Sequence, residues 1–388
     1  MTSPKKDWVE AWHVNPSANK DYDLIDGLRG IAILAVVCGH LVYINQYEVR
    51  SVVLWLFALA GMGGKGVNIF FTLSGFLISW PFWKRKAKGA AQVVPPGYGW
   101  RRFYKIYPPL ALSILLLTPM YVIFGTNASI WLTALQWLSG LSLFIPPRST
   151  LNPVMWSLIV EVQFYLLLPL IFLCLQRVSM KTCLWVIFLF LLLGGQLSQG
   201  IYALNNMGNM IHPYIKCLFP SFLDAFAFGV LLAGLESYWN GLPKAWGRLG
   251  DIGMALLVIT FLTGAWLNHE HIQLGDGHLQ SSLLILAVNI STALALCYIA
   301  RPQQLVARQL CFPWLRWCGI ISYEWYLFHQ PIFFWTKNLL HPAQGQWLHF
   351  LIIEAASFLI GLAVAATIYR FFSLPILKRG RGNHAGGA

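Results

Sequence analysis

The sequence predicts an all-α membrane protein, a polytopic bundle of about ten transmembrane helices with both termini in the cytoplasm. Of the 388 residues, 57% are hydrophobic and only 11% are charged, and the mean hydropathy is +0.60. This composition is too apolar for a soluble multidomain protein and favours a single membrane domain. Long apolar segments and the placement of Lys and Arg lead to the same conclusion.

The apolar segments recur at the length that a spanning helix needs, roughly 17 to 25 residues. They lie near residues 24–45, 67–83, 105–124, 153–175, 183–200, 217–235, 250–267, 281–300, 317–336 and 348–371. A further segment, 130–145, is interrupted by Ser139 and Gly140 and is followed by two prolines. We interpret it as a re-entrant or interfacial helix rather than a span.

Lys and Arg test this topology independently, because they concentrate in cytoplasmic loops. With ten spans, all but five of the 27 Lys and Arg residues fall on the cytoplasmic side. Counting 130–145 as a full span would destroy that segregation. We therefore expect a cytoplasmic, uncleaved N-terminal tail at 1–20, a membrane domain at 21–376 and a cytoplasmic C-terminal tail at 377–388. Residues 1–20 and 380–388 are expected to be disordered, and the net charge of +13 reflects topology rather than nucleic-acid binding.

One predicted helix contains the stretch RGIAILAVVCGH, in which Arg29 and His40 are separated by uncharged residues. The two lie roughly 16 Å apart along the helix axis. An ionised group at mid-span costs on the order of 3 kcal/mol, so such residues usually have a function. A satisfied core histidine is the alternative, but we favour a functional His40.

Helical rise places five polar residues in one layer, somewhat outside the membrane midplane: His40, Ser74, Glu161, Asp224 and His329. We expect them to line one cavity, together with Tyr323. For Glu161, catalysis and a simple helix–helix hydrogen bond are equally supported. For Asp224 and His329 we favour structural roles. Ser74 precedes a glycine, so we favour a role in close helix packing over nucleophilic catalysis.

Seven cations lie in the loop before the predicted third span and at its start, in KRKAKG (84–89) and RRFYKIYP (101–108). A strong topology signal is the simplest explanation. However, Arg101, Arg102 and Lys105 lie at a helix start, where side chains and the helix dipole together can hold an anion. A phosphate-bearing cytosolic donor would suit them.

Two other segments carry weaker signals. GMGGKG (61–66) lacks the spacing of a phosphate loop and is predicted on the outer side. HEHIQLGDGH (269–278) offers possible metal ligands, but its irregular spacing favours a solvated loop. The seven cysteines include no CxxC pair, and the chain has no GxSxG or HExxH motif. No metal site is expected.

Five segments together resemble the type 3 acyltransferase family, integral membrane enzymes that move acyl groups onto hydroxyls of glycans, lipids or small molecules. They are RGIAILAVVCGH, GVNIFFTLSGFLIS, RRFYKIYP, WSLIVEVQFYLLLPL and GIISYEWYLFHQP, in the family's order. By this resemblance Arg29 and His40 match the family's essential pair, Arg101, Arg102 and Lys105 its arginine-rich motif, and Glu161 its acidic position. Lys105 replaces an expected arginine, and Asn68, assigned to the cavity lining, stands where a carboxylate is common.

The resemblance implies a bacterial inner-membrane O-acyltransferase with acyl-CoA, by default acetyl-CoA, as co-substrate and no bound cofactor. His40 would be the general base, oriented by Glu161 if the helices allow it, and Arg29 would hold the donor phosphates or polarise the thioester. The expected partners are a carbohydrate or lipid-linked acceptor and the lipid bilayer, and a homo-oligomer is compatible with the sequence. Two alternatives stay open: a proton-coupled transporter or exporter, and a non-catalytic membrane sensor or scaffold.

Overall fold

A computed structural model describes residues 8–13, 21–44, 58–59, 61–123, 129–145, 151–205, 220–270, 278–340 and 347–382. These residues form helices and contain no strand. The α-helices are α1 (Asp21–Ile44), α2 (Gly66–Ala87), α3 (Tyr98–Ile123), α4 (Ser129–Leu138), α5 (Trp156–Cys174), α6 (Met180–Asn205), α7 (Leu223–Tyr238), α8 (Gly247–His269), α9 (His278–Leu296), α10 (Leu305–Leu310), α11 (Pro313–Ile320), α12 (Ser322–Leu340), α13 (Trp347–Ile368) and α14 (Leu374–Gly382).

The predicted all-α membrane bundle is confirmed. Among the described residues, eight helices are long and apolar enough to cross a membrane. The other two predicted spans also form helices, α7 and α12. Helix α7 has only 16 residues, and α12 contains Glu324, His329 and Pro331, so both are weaker as spans by length or composition.

The segment 130–145 has the geometry of a re-entrant hairpin. Helix α4 ends near Leu138, whose carbonyl accepts a 2.7 Å hydrogen bond from the Tyr107 hydroxyl. The returning chain is held by Gln163, whose amide donates to the Leu143 carbonyl at 2.7 Å. Tyr107 and Gln163 each lie at least about 10 Å along their helices from the first residue. The hairpin therefore contacts α3 and α5 about 10 Å or more from the residues at which those helices begin, and Gly140 turns it with φ of +77°.

Helices α2 and α7 pack backbone to backbone through small residues. A Cβ atom on Gly229 would lie 2.0 Å from the Thr72 carbonyl oxygen, and one on Gly75 would lie 2.4 Å from that of Phe226. The Thr72 hydroxyl also donates to the Ala225 carbonyl at 3.0 Å. Small residues that allow such close approach are the usual means of helix association in membranes. This contact fixes α2, which supplies one wall of the site described below.

The terminal tails differ from the sequence expectation. Residues Trp8–Trp12 form a short 3₁₀ helix, and Val9 in it is fully buried. The carbonyl of Ala11 accepts from Arg370 at 2.6 Å, and that of Trp12 accepts from the Tyr369 hydroxyl at 2.9 Å. Apolar side chains within a polar segment explain why this part is ordered. At the other end α14 continues to Gly382, so residues 380–382, which were expected to be disordered, are helical.

The α2–α7 contact predicts that Gly229→Ala destabilises the protein by about 1–3 kcal/mol, because the added methyl group has no space. The matched control is Gly200→Ala in α6, where a Cβ meets nothing within 4 Å. Thermal unfolding in detergent should show a lower midpoint for Gly229→Ala and an unchanged or higher one for Gly200→Ala. Equal midpoints would mean that α2 and α7 are not packed this closely.

Candidate active site

Helices α1, α2, α3, α5 and α12 enclose a cavity with a strong positive bias. Its charged lining consists of Arg29, Arg102, Lys105 and Glu161, which is three cations against one carboxylate. Polar hydroxyls and apolar side chains complete the wall, among them Ser74, Ser157, Ser322, Tyr165, Tyr323 and Tyr326. Outside the lining, the buried carboxylates of Asp26 and Glu324 also interact electrostatically with Arg29 and Lys105. Charged groups inside an apolar bundle are costly unless such partners, water or a bound ion accompany them.

Arg29 projects from α1 toward α12 and α2. Its Nη2 atom donates to the Ser322 hydroxyl at 2.9 Å, and its guanidinium carbon lies 5.9 Å from the centre of the Phe70 ring. The Nε atom is buried and has no hydrogen-bond partner among the described residues. Arg29 is thus held by one hydrogen bond and one cation–π contact, while its Nε hydrogen stays available to a ligand.

The cationic motif lies inside helix α3, which begins at Tyr98, earlier than the sequence predicted. Arg102 and Lys105 are three residues apart and share the face that lines the cavity. The Arg102 guanidinium lies 5.8 Å from the Tyr165 ring, and its Nε is buried without a partner among the described residues. Arg101, rotated by about 100°, instead donates to the Pro96 carbonyl. The expectation that all three cations converge is corrected to two.

Glu161 forms a hydrogen-bonded cluster on the cavity wall. Its Oε1 atom accepts from the Ser74 hydroxyl at 3.0 Å and also from the Tyr165 hydroxyl. The Ser74 contact joins α2 to α5, as the helix–helix interpretation expected. Glu161 makes no described hydrogen bond to His40, so the expectation that it orients this histidine is not met. Glu161, on α5, contacts Ser74 and Tyr165, whereas His40, on α1, contacts a residue of α12.

His40 pairs with a second histidine instead. Its Nδ1 atom lies 3.0 Å from Nε2 of His329, which projects from α12. His329 is fully buried, whereas His40 is partly exposed. The ring of Tyr326, which lines the cavity, is centred 5.9 Å from the His329 ring. The pair therefore lies next to the cavity, about one helical turn beyond Tyr326 along α12.

The other predicted cavity residues separate into two groups. Tyr323 lines the cavity, and its hydroxyl donates to the Ile106 carbonyl at 2.9 Å. Asp224 faces α6, where it accepts from Gln196 at 2.7 Å and from Gln199. Asn68 is buried on α2 and does not line the cavity. Of the residues expected in a single cavity, Ser74, Glu161 and Tyr323 line it, whereas His40, His329, Asn68 and Asp224 do not.

Three hydroxyl residues belong to the site although sequence analysis did not assign them. The Tyr326 and Ser157 hydroxyl oxygens are 2.7 Å apart, and Tyr326 also donates to the Val154 carbonyl at 2.9 Å. Tyr165 bonds Glu161 one turn away on the same helix. Spacing was the available signal, because Ser157, Glu161 and Tyr165 recur every four residues and share one face of α5.

The two weaker sequence signals gain no support as binding sites. Gly63 in GMGGKG packs against α1, since a Cβ there would lie 2.2 Å from the Ala35 carbonyl oxygen. In HEHIQLGDGH, His269 Nδ1 lies 2.9 Å from Glu270, and residues 271–277 lie outside the described residues. Within the described part of the chain, no group of three His, Cys, Asp or Glu residues is placed to hold a metal ion.

The charged cavity predicts a difference between two neighbouring arginines. Inorganic pyrophosphate should raise the thermal midpoint of the wild type, because an anion that binds only the folded state stabilises it. Arg102→Gln should reduce this shift by more than half, since Arg102 lines the cavity. Arg101→Gln is the matched control and should retain the full shift. An equal loss in both variants would indicate a nonspecific surface effect of charge.

Comparison with known proteins agrees with the architecture. A family model described as an acyltransferase domain matches residues 22–370. The peptidoglycan O-acetyltransferase OatA of Listeria monocytogenes is 27% identical over 387 residues, which cover 93% of this chain and 56% of that protein. The O-acetyltransferase OatA of Staphylococcus aureus is 23% identical over 385 residues, covering 92% of this chain and 57% of its own. The chain thus spans little more than half the length of these relatives.

A comparison with solved structures gives no significant match. The family model, in contrast, covers nearly all of the helical bundle, including every helix that lines the charged cavity. The five motifs that carried the resemblance also fall within the matched residues. The chain therefore belongs to the type 3 acyltransferase family, as its motifs predicted.

Proposed function

We propose that this chain is a membrane O-acyltransferase that moves an acyl group, by default acetyl, from acyl-CoA to a hydroxyl of a carbohydrate or lipid-linked carbohydrate. The observation that carries the proposal is the cavity with Arg29, Arg102 and Lys105, which lies beside a histidine pair. The cations can hold an anionic donor, and a histidine can activate a hydroxyl. Relatives named as O-acetyltransferases support the same chemistry.

The cationic residues favour a phosphate-bearing donor. Arg29 and Arg102 retain buried guanidinium nitrogens without partners among the described residues, which is what a charged ligand would use. A neighbouring apolar cavity, lined by Tyr107, Trp137 and Leu166, shares Arg102 and Tyr165 with the charged one. A donor that combines phosphates with a less polar arm, as an acyl-CoA thioester does, can contact both. Free phosphate would use only the charged part.

His40 supplies the base in this proposal. A neutral imidazole can accept the proton of an acceptor hydroxyl as the oxygen attacks the thioester carbonyl, and it can return that proton to the departing thiolate. His40 follows Arg29 by 11 residues on α1, or roughly 16 Å. If Arg29 holds the donor phosphates, the arm that carries the acyl group must span roughly 16 Å to bring the thioester to His40. Arg29 then binds the donor rather than the reacting carbonyl.

The acceptor is assigned only by class. The name of the Listeria relative specifies peptidoglycan, so a glycan hydroxyl on the outer side of a bacterial inner membrane is our first choice. In the predicted topology α1 runs outward, which puts His40 closer to the outer face than Arg29 is. Acyl donors are cytosolic, and this arrangement lets a donor enter from one side while the acceptor approaches from the other.

The proposal predicts that membranes containing the wild type move radiolabel from [acetyl-¹⁴C]CoA into a glycan or lipid fraction, and that His40→Ala reduces this transfer at least about 100-fold, the usual contribution of a general base. Cys38→Ala is the matched control, because Cys38 is exposed on the same helix. It should retain wild-type transfer. Both variants should be present in the membrane in equal amounts.

Other outcomes separate the competing functions. Equal background label in wild type and His40→Ala, with several short acyl donors, would contradict the enzyme proposal. Ion-dependent flux without loss of thioester would then favour the proton-coupled transporter. Pathway function retained in His40→Ala cells would favour the sensor or scaffold.

A further inference from the structure

We infer that His329 is a positioning residue that fixes the tautomer of His40, so that Nε2 of His40 carries the lone pair that accepts the substrate proton. The inference rests on the proposed function, because it assigns a role within that reaction. Sequence analysis favoured a structural role for His329. The hydrogen bonds around its ring support a different assignment.

The protonation of His329 follows from its neighbours. Its Nδ1 atom lies 2.8 Å from the Tyr326 carbonyl oxygen and 3.1 Å from that of Trp325. Carbonyl oxygens only accept hydrogen bonds, so Nδ1 must carry a hydrogen. In a neutral imidazole the second nitrogen, Nε2, is then an acceptor. The complete burial of the ring favours this neutral form.

The protonation of His40 follows from that of His329. Nε2 of His329 accepts, so the partner atom 3.0 Å away, Nδ1 of His40, must donate. The backbone carbonyl of Val36, one turn earlier on α1, also accepts a hydrogen bond from the His40 ring. His329 Nδ1 contacts the equivalent carbonyl, four residues back, of Trp325, so the Val36 contact is compatible with a hydrogen on Nδ1 of His40. A neutral His40 with a hydrogen on Nδ1 has its lone pair on Nε2. The hydrogen-bond chain thus runs from His40 through His329 to the backbone of α12, and it leaves one basic nitrogen at the partly exposed end.

This arrangement performs the task that a carboxylate performs in acyl-transfer triads, which is to hold the base in the correct tautomer and orientation. Glu161 does not fill that role here, because it bonds Ser74 and Tyr165. In the reaction, the acceptor O–H bond breaks as its proton moves to His40 Nε2 and the oxygen bonds the thioester carbon. The C–S bond then breaks, and the thiolate recovers the proton. The Nδ1 hydrogen stays on His40 throughout, bonded to His329.

Two variants at position 329 distinguish positioning from packing. The Gln side chain can place an amide oxygen near the former Nε2 position, where it accepts from His40, whereas the shorter Asn side chain reaches only the former Nδ1 position. We expect His329→Asn to lower kcat about 100-fold or more and His329→Gln to lower it less than about 10-fold. KM for the acyl donor should stay within a factor of two in both variants.

A spectroscopic measurement tests the tautomer without turnover. In wild-type protein labelled with ¹⁵N-histidine, His40, assigned through a His40→Gln sample, should carry its hydrogen on Nδ1. In His329→Asn it should shift toward the Nε2–H form that free imidazoles prefer, and in His329→Gln it should stay on Nδ1. Equal kcat in the Asn and Gln variants, or an Nε2–H tautomer in the wild type, would overturn the inference.

These readouts separate two failures. If the wild type transfers no acyl group, the proposed function fails, yet the nitrogen spectra still decide whether His329 sets the tautomer. If transfer depends on His40 but neither the tautomer nor kcat responds to position 329, only the role of His329 fails. A loss of folded protein in one variant is detected by size-exclusion chromatography, and the wild-type spectrum then decides the question.

Discussion

The structure depends on one electrostatic constraint, which is the cost of placing cations inside an apolar helix bundle. Arg29, Arg102 and Lys105 line a cavity with one carboxylate, Glu161, and two buried carboxylates outside this lining, Asp26 and Glu324, also interact electrostatically with Arg29 and Lys105. Buried charges are stable only with close partners of opposite sign, water or a bound ion. A ligand can use the Arg29 and Arg102 nitrogens that have no partner among the described residues, and the fold brings five helices around this space.

Close helix packing makes that cavity possible. Glycine contacts bring α2 against α1 and α7, so that Ser74 and Phe70 reach the cavity. On the opposite side the re-entrant hairpin braces α3 and α5 through Tyr107 and Gln163. The helix–helix contacts use glycines and the backbone, and the hairpin contacts use Tyr107 and Gln163, so none of them involves the charged side chains of the cavity. The shape of the site thus depends on residues that do not line the charged cavity.

Much of the fold was predictable from sequence, because hydropathy and charge segregation report directly on membrane insertion. Over the residues that the structure describes, each of the ten predicted spans overlaps a long helix, and 130–145 forms the hairpin. The site was predictable only in part. Depth along a helix follows from residue number, but the direction that a side chain faces depends on how each helix is rotated in the bundle. Arg101 and Arg102 are adjacent in the sequence, yet of the two only Arg102 lines the cavity.

The same limit explains why the contact between His40 and His329 was not predicted from the sequence. His40 and Glu161 were placed in one layer, and an acid is the usual partner of a catalytic histidine. The actual partner, His329, is 289 residues away in sequence, and only tertiary packing brings the rings together. Tyr165 and Ser157, in contrast, were within reach of sequence reasoning through their spacing from Glu161. Local spacing predicts shared faces, whereas contacts between distant helices need a structure.

In this account the cations of the cavity bind the donor, whereas His40 carries out the proton transfer. Equilibrium binding of radiolabelled acetyl-CoA to purified protein tests this separation of roles most directly. We predict that His40→Ala binds with an affinity close to that of the wild type, and that Arg29→Gln combined with Lys105→Gln abolishes saturable binding. Binding that survives loss of both cations, or that disappears with His40 alone, would contradict the account.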